Sequence, residues 1–144
     1  MKHLIVKKAF VAASVLSVLG YVGSASAHSQ SGALGAGAKK VDTYQVSCAA
    51  GTHHLSVQIK GSGPVASPLL SVQAIKGTLA KNVTDAVTGD TAFSSGINVI
   101  GGAGAYGLMV DKTGAGVVTY ALEVHCIDGS GGHPATDVIP IQNK

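Results

Sequence analysis

Between residues 117 and 127 the chain alternates apolar and polar positions. Val118, Tyr120, Leu122, Val124 and Cys126 fall on one side, and Thr119, Glu123 and His125 on the other. A period of two marks a strand with one buried face. The pattern recurs over residues 41–48, with Tyr44, Val46 and Cys48 inward, and over residues 54–60, with Leu55, Val57 and Ile59 inward. It recurs again over residues 105–112, with Tyr106, Leu108 and Val110 inward. Residues 69–75 and 97–100 read as shorter strands. Residues 138–141, Val-Ile-Pro-Ile, read as an edge strand, because proline cannot donate to a ladder on both sides.

Residues 79–87 are ambiguous. Leu79, Val83 and Val87 have helical spacing, but Asn82, Thr84 and Asp85 are poor helix formers, which favours irregular structure or a short strand. Glycine and proline at 61–64, Gly89-Asp90 and the run Thr113–Gly116 mark turns, the last read as a hairpin turn into residues 117–127. Six or seven short strands without an amphipathic helix predict an all-β chain. The expected form is a single antiparallel β-sandwich, either jelly-roll or immunoglobulin-like.

The amino terminus breaks this pattern. Lys2, Lys7 and Lys8 precede an apolar run, and Ala25-Ser26-Ala27 supplies small residues for cleavage. Residues 1–27 therefore read as a secretory signal peptide, with His28 as the new first residue. Residues 28–39, rich in Ser, Gly and Ala, read as a flexible arm, and residues 40–144 as the sandwich domain. The expected location is the periplasm or the extracellular space. Without Lys2, Lys7 and Lys8, seven lysines face seven acids, so the mature chain is nearly neutral. It has no arginine, no basic patch suited to nucleic acid, and no second apolar run long enough to span a bilayer.

Aromatic residues are few, so the core must rest mainly on Val, Ile, Leu and Ala. A covalent staple would help such a core. The two cysteines of an exported chain imply one disulfide, Cys48–Cys126, rather than a pair of metal-binding thiols. In the chain-entropy model a loop of this length stabilises by roughly 4 kcal/mol.

Catalytic chemistry has no clear carrier. The carboxylates are scattered, and no G-x-S-x-G elbow occurs. Gly102, Gly104 and Gly107 fit G-x-G-x-x-G, but they run into a strand rather than a helix, which excludes a dinucleotide turn. Asn82-Val83-Thr84 is a glycosylation sequon by pattern alone. The histidines are more informative. A first residue His28 would offer an α-amine and an imidazole, a nitrogen pair that suits copper(II). His53, His54, His125 and His133 are the other candidate ligands, and the disulfide would draw His125 towards His53 and His54.

Residues 104–126 combine a G-x-Y-x-L-x-V strand, a glycine-bearing turn and a Y-x-L-x-V strand. Tyr106, Leu108, Val110, Tyr120, Leu122 and Val124 carry the pattern. It resembles the closing hairpin of bacterial pre-peptidase C-terminal domains. That resemblance implies a small secreted β-sandwich, although here no enzyme is attached and a disulfide is expected. The whole chain is also similar to stand-alone secreted proteins of unassigned function from Gram-negative bacteria.

The sequence thus leads first to a non-catalytic secreted or periplasmic β-sandwich that binds a protein partner or itself, in a binding or surface-structural role. A periplasmic copper-binding protein using His28 is one alternative. A pilin-like fibre subunit is another, although the cysteine spacing and the carboxyl terminus depart from the pilin pattern.

Overall fold

The computed structural model describes residues 28–64 and 66–143. The signal-peptide reading of residues 1–27 lies outside the described residues. The described chain forms nine strands and no helix. They are β1 (His28–Leu34), β2 (Asp42–Cys48), β3 (Thr52–Ser62), β4 (Leu70–Lys76), β5 (Leu79–Thr84), β6 (Ile97–Val99), β7 (Gly104–Lys112), β8 (Val118–Asp128) and β9 (Thr136–Gln142). Buried and accessible positions alternate along β2, along β3 from Leu55 onward and along β8 up to Ile127, which shows why these segments are strands: each has one apolar face to bury.

Two antiparallel sheets result, ordered β1-β8-β3-β6 and β5-β4-β7-β2-β9. The pairs β1·β8, β2·β7, β3·β6 and β4·β5 are nested, as in one long hairpin. Wrapping that hairpin adds the pairs β3·β8 and β4·β7. This is jelly-roll connectivity, the first of the two expected forms, with β9 added beside β2.

Wrapping corrects one expectation. Strands β7 and β8 do not pair with each other; β7 pairs with β2 and β4, and β8 with β1 and β3. The turn at residues 113–116 carries the chain from one sheet to the other. It is fastened by the Lys112 ammonium, which donates to the carbonyls of Gly35 and Gly116, and by Gly116 N–H donating to Ala36 O at 2.9 Å. A period-two pattern identifies a strand's buried face but carries no information about which neighbour it pairs with.

The expected arm at residues 28–39 is also corrected over its first part, which is β1, paired in register with β8 from His28↔Val124 to Leu34↔Val118. Backbone bonding, rather than burial of its own side chains, holds it, and only Leu34 is fully buried. Gly32 lies against the Tyr120 ring, where a Cβ would come within 2.3 Å of the phenol oxygen. Small residues thus mark a strand packed against a large neighbour, not a loose tether. Residues 79–84 resolve the earlier ambiguity as strand β5, an exposed edge. Pro140 lies in edge strand β9, next to a register shift opposite Thr43 and Tyr44.

The core lies between the sheets and is built largely from Val and Leu, with Ile59, Tyr44, Tyr106 and Tyr120. Cys48 on β2 and Cys126 on β8 form the expected disulfide, so the bond joins the two sheets. Residues 85–96 run along β3, held by Gly61 N–H donating to Asp85 Oδ2 at 2.6 Å and by Ser94 N–H donating to Ile59 O at 2.8 Å.

Candidate functional site

The five histidines among the described residues lie at the end of the sandwich that the disulfide closes. The registers Leu55↔Cys126, His54↔Ile127 and His28↔Val124 place them there, and His133 belongs to the loop that follows β8. They form two pairs rather than one cluster. His53 and His54 sit at a register shift at the start of β3, with their Nδ1 atoms 3.1 Å apart and their rings edge to face. One of these nitrogens must carry the shared proton and the other must accept it. Burial lowers the pKa of His54, and the neighbouring His53 lowers it further.

The second pair is His125 and His133, with ring centroids 5.1 Å apart and planes at 89°. Period two turns His125 to the outer face of its sheet, next to Glu123. Burial is the main cause that lowers its pKa; His133 and His28 lower it further and Glu123 opposes them. His28 therefore belongs electrostatically with this pair. Its Nδ1 is buried and makes no hydrogen bond. Among the described residues, no group of three or more His, Cys, Asp or Glu side chains is arranged to hold a metal ion.

Asp128, at this end, braces its own turn. Asp128 Oδ1 accepts from Ser130 N–H at 2.8 Å, Ser130 O–H at 2.8 Å and Gly132 N–H at 2.7 Å. The Ser130 hydroxyl first, then these N–H groups, hold its pKa below the usual carboxylate value. The arrangement braces the turn that presents His133.

A different feature occupies the outer face of the five-stranded sheet. A trough of about 520 Å³ runs over β7, with Gly107 in its floor and Ile75, Met109 and Ile141 among its lining residues. A Cβ at Gly107 would meet nothing within 4 Å, so the floor is open to an incoming group. Ile75 is 39% exposed and Ile141 64% exposed, so both present aliphatic surface to solvent on this face. On the inward parity of the same strands, the Lys76 ammonium lies 4.4 Å above the Tyr106 ring and donates to the Gly102 carbonyl at 3.2 Å. Sequence reasoning missed this trough. Its signal was the apolar residues on the outward parity of β4, β7 and β9, but a single outward isoleucine is ordinary; only the sheet order brings Ile75 and Ile141 to one trough.

Inside the sandwich a second unforeseen cluster joins β2 to β8. Tyr120 donates to Asp42 Oδ2 at 2.5 Å, and the Tyr44 and Tyr120 oxygens are 2.6 Å apart. Asp42 sits on the inward parity of β2, and that misplaced charge was the legible clue. The fold and the disulfide define a class, the jelly-roll β-sandwich. No protein-family model matches the chain, and no curated protein matches it. Fold alone assigns no activity, so function must be argued from these surfaces.

Proposed function

We propose that the chain is an exported β-sandwich protein without chemistry of its own, and that it self-associates in a surface-structural role. The trough on the outer face of the five-stranded sheet carries this reading. That face offers both halves of a contact: an apolar hollow over Gly107 and, at its edge, exposed Ile139 and Ile141 on β9. Two copies related by a two-fold axis can each place the β9 ridge in the other's hollow, which is a self-complementary contact. The near-neutral mature chain sets up little repulsion between copies. The buried polar groups support the non-catalytic half of the reading. Asp85, Ser94 and Thr136 all bond to backbone groups that would otherwise lack partners. The inter-sheet disulfide suits an oxidising compartment.

Sedimentation velocity on the chain starting at His28, from micromolar to millimolar concentration, tests the reading. The expected result is concentration-dependent association, weakened at least tenfold by Ile75→Ser with Ile141→Ser. A single monomer boundary across the whole range would overturn it.

A further inference from the structure

We infer that the free edge of β1 is a second self-association surface. Two copies pair their β1 strands antiparallel about a two-fold axis at Ser31, which joins two four-stranded sheets into one. The inference rests on the self-association reading only in taking a second copy as the partner; its surface is distinct from the trough.

The first argument compares edges. The two sheets end in four strands, β1, β6, β5 and β9. An edge strand offers unpaired N–H and C=O groups to any extended chain, and folded proteins blunt such edges. Three of the four are blunted here. β6 has only three residues. β5 carries Lys81 on the inward parity, opposite buried Ala74, so a strand added there would bury its ammonium. β9 carries Pro140 and a register shift. β1 has none of these devices. Its seven residues include no proline and no Lys, Arg, Asp or Glu. Its pairing with β8 keeps one register from His28 to Leu34, and none of its residues has a positive φ.

The second argument is self-complementarity. Residues opposite each other in a continuous sheet point to the same face. A two-fold axis perpendicular to the sheet must therefore pass through a residue and not between two. An axis at Ser31, the middle of β1, pairs the whole strand. Ser31 faces its own copy, Gln30 faces Gly32, Ser29 faces Ala33 and His28 faces Leu34. The longer Gln30 thus meets a residue with no side chain, and no Lys, Arg, Asp or Glu faces its like. Ser29, Ser31 and Ala33 are exposed and small, so the two edges can close to the ordinary strand spacing of about 4.8 Å.

The third argument is what the composition serves. Only Leu34 of β1 is fully buried, so a strand of small neutral residues adds little to the core of its own copy. It does leave a regular backbone edge open to a partner. Two different two-fold contacts on one chain, at this edge and at the trough, carry assembly past the dimer, as a surface-structural role requires.

The experiment uses the chain starting at His28 and carrying Ile75→Ser with Ile141→Ser, which silences the trough. Sedimentation velocity up to millimolar concentration should show a residual association that stops at the dimer. Ser31→Lys in this background should weaken the dimer at least tenfold, because like charges then meet at the axis, and Ser31→Glu should do the same. An equimolar mixture of the two should restore it, since opposite charges then meet, an outcome that damage to the fold of one copy would not produce. Cysteine pairs read the register independently, because the native chain has no free thiol among the described residues. Under mild oxidation Ser31→Cys should link two copies, whose Cα atoms would lie about 5 Å apart at the axis. Ser29→Cys should not, because its counterpart lies about 14 Å away along the partner strand. A monomer boundary throughout in the Ile75→Ser/Ile141→Ser background, no rescue on mixing, or equal cross-linking of the two cysteine variants would overturn the edge pairing. Failure of the trough is read separately, from unchanged association when Ile75 and Ile141 alone are replaced.

Discussion

Strands β2 and β8 are tied across the interior at two levels, and the two ties differ in kind. At the histidine end, Cys48 and Cys126 form a disulfide. Towards the other end, Tyr44, Tyr120 and Asp42 form a chain of buried hydrogen bonds between the same two strands. The disulfide acts mainly by restricting the unfolded chain, and it does not depend on pH near neutrality. The polar tie acts in the folded state. Its net contribution is small while intact, and the damage is larger when one member is lost, because the others stay buried. The covalent tie also lies one residue from His125, so it braces the end where the histidines gather, and the polar tie lies at the level where Gly32 of β1 packs against Tyr120.

The largest effect should come from removing the covalent tie. Cys48→Ala with Cys126→Ala is expected to cost about 4 kcal/mol, from the separation of 78 residues. Urea unfolding of the oxidised wild type and the variant measures it. A loss below about 1 kcal/mol would mean that the hydrogen-bonded tie and the sheets already restrict the chain as much as the disulfide does.

Tyr120→Phe comes next, at about 2 kcal/mol, because it takes a donor from a buried carboxylate. Tyr120 is one of the groups that hold Asp42. The same residue should dominate the alkaline response. Burial, with added contributions from Asp42 and Tyr44, holds the Tyr120 phenol well above its ordinary value of 10.0. Burial also raises Tyr44 and Tyr106. The folded state therefore keeps these protons after the unfolded chain has begun to lose them. Their contribution is fully present below about pH 10 and is lost as pH rises towards the folded values, at up to about 1.4 kcal/mol per pH unit for each tyrosine. Urea midpoints followed from about one pH unit below to about one unit above the ordinary tyrosine value should fall less steeply in Tyr120→Phe than in wild type. Equal slopes would show that Tyr120 is not the titrating group.

The contrast between the ties also shows what the sequence could reveal. Cys48–Cys126 was legible because only two cysteines occur and both sit at the inward end of an alternating run. Inward faces of β2, β3, β7 and β8 were legible for the same reason, since period two is local. Partner choice is not local, which is why residues 113–116 read as a hairpin turn although they cross between sheets. β1 was hidden because Ser, Gly and Ala suit a loose tether and an edge strand held by its backbone equally well. Asp42 could have been noticed: a carboxylate on the parity of Tyr44 and Val46 must find partners inside. The histidines were legible as candidates, but their division into two pairs was not, because it depends on the register of β3 against β8 and on the Asp128 turn.

The smallest effect is the most discriminating. A tyrosine hydroxyl has one proton. Because Tyr120 gives its proton to Asp42, the short contact between the two phenols requires Tyr44 to donate to Tyr120. The chain therefore runs Tyr44 to Tyr120 to Asp42. Tyr44→Phe removes a neutral donor and leaves the carboxylate's bond in place, so it should cost about 1 kcal/mol, less than Tyr120→Phe. On a Tyr120→Phe background the Tyr44 hydroxyl has already lost its acceptor, so removing it should cost still less, and the double variant should fall short of the sum by about 0.5–1 kcal/mol. Urea unfolding of the four proteins closes this cycle. If Tyr44→Phe proves the more damaging single change, the proton order is reversed, and Tyr44 rather than Tyr120 is the residue through which the polar tie reaches Asp42.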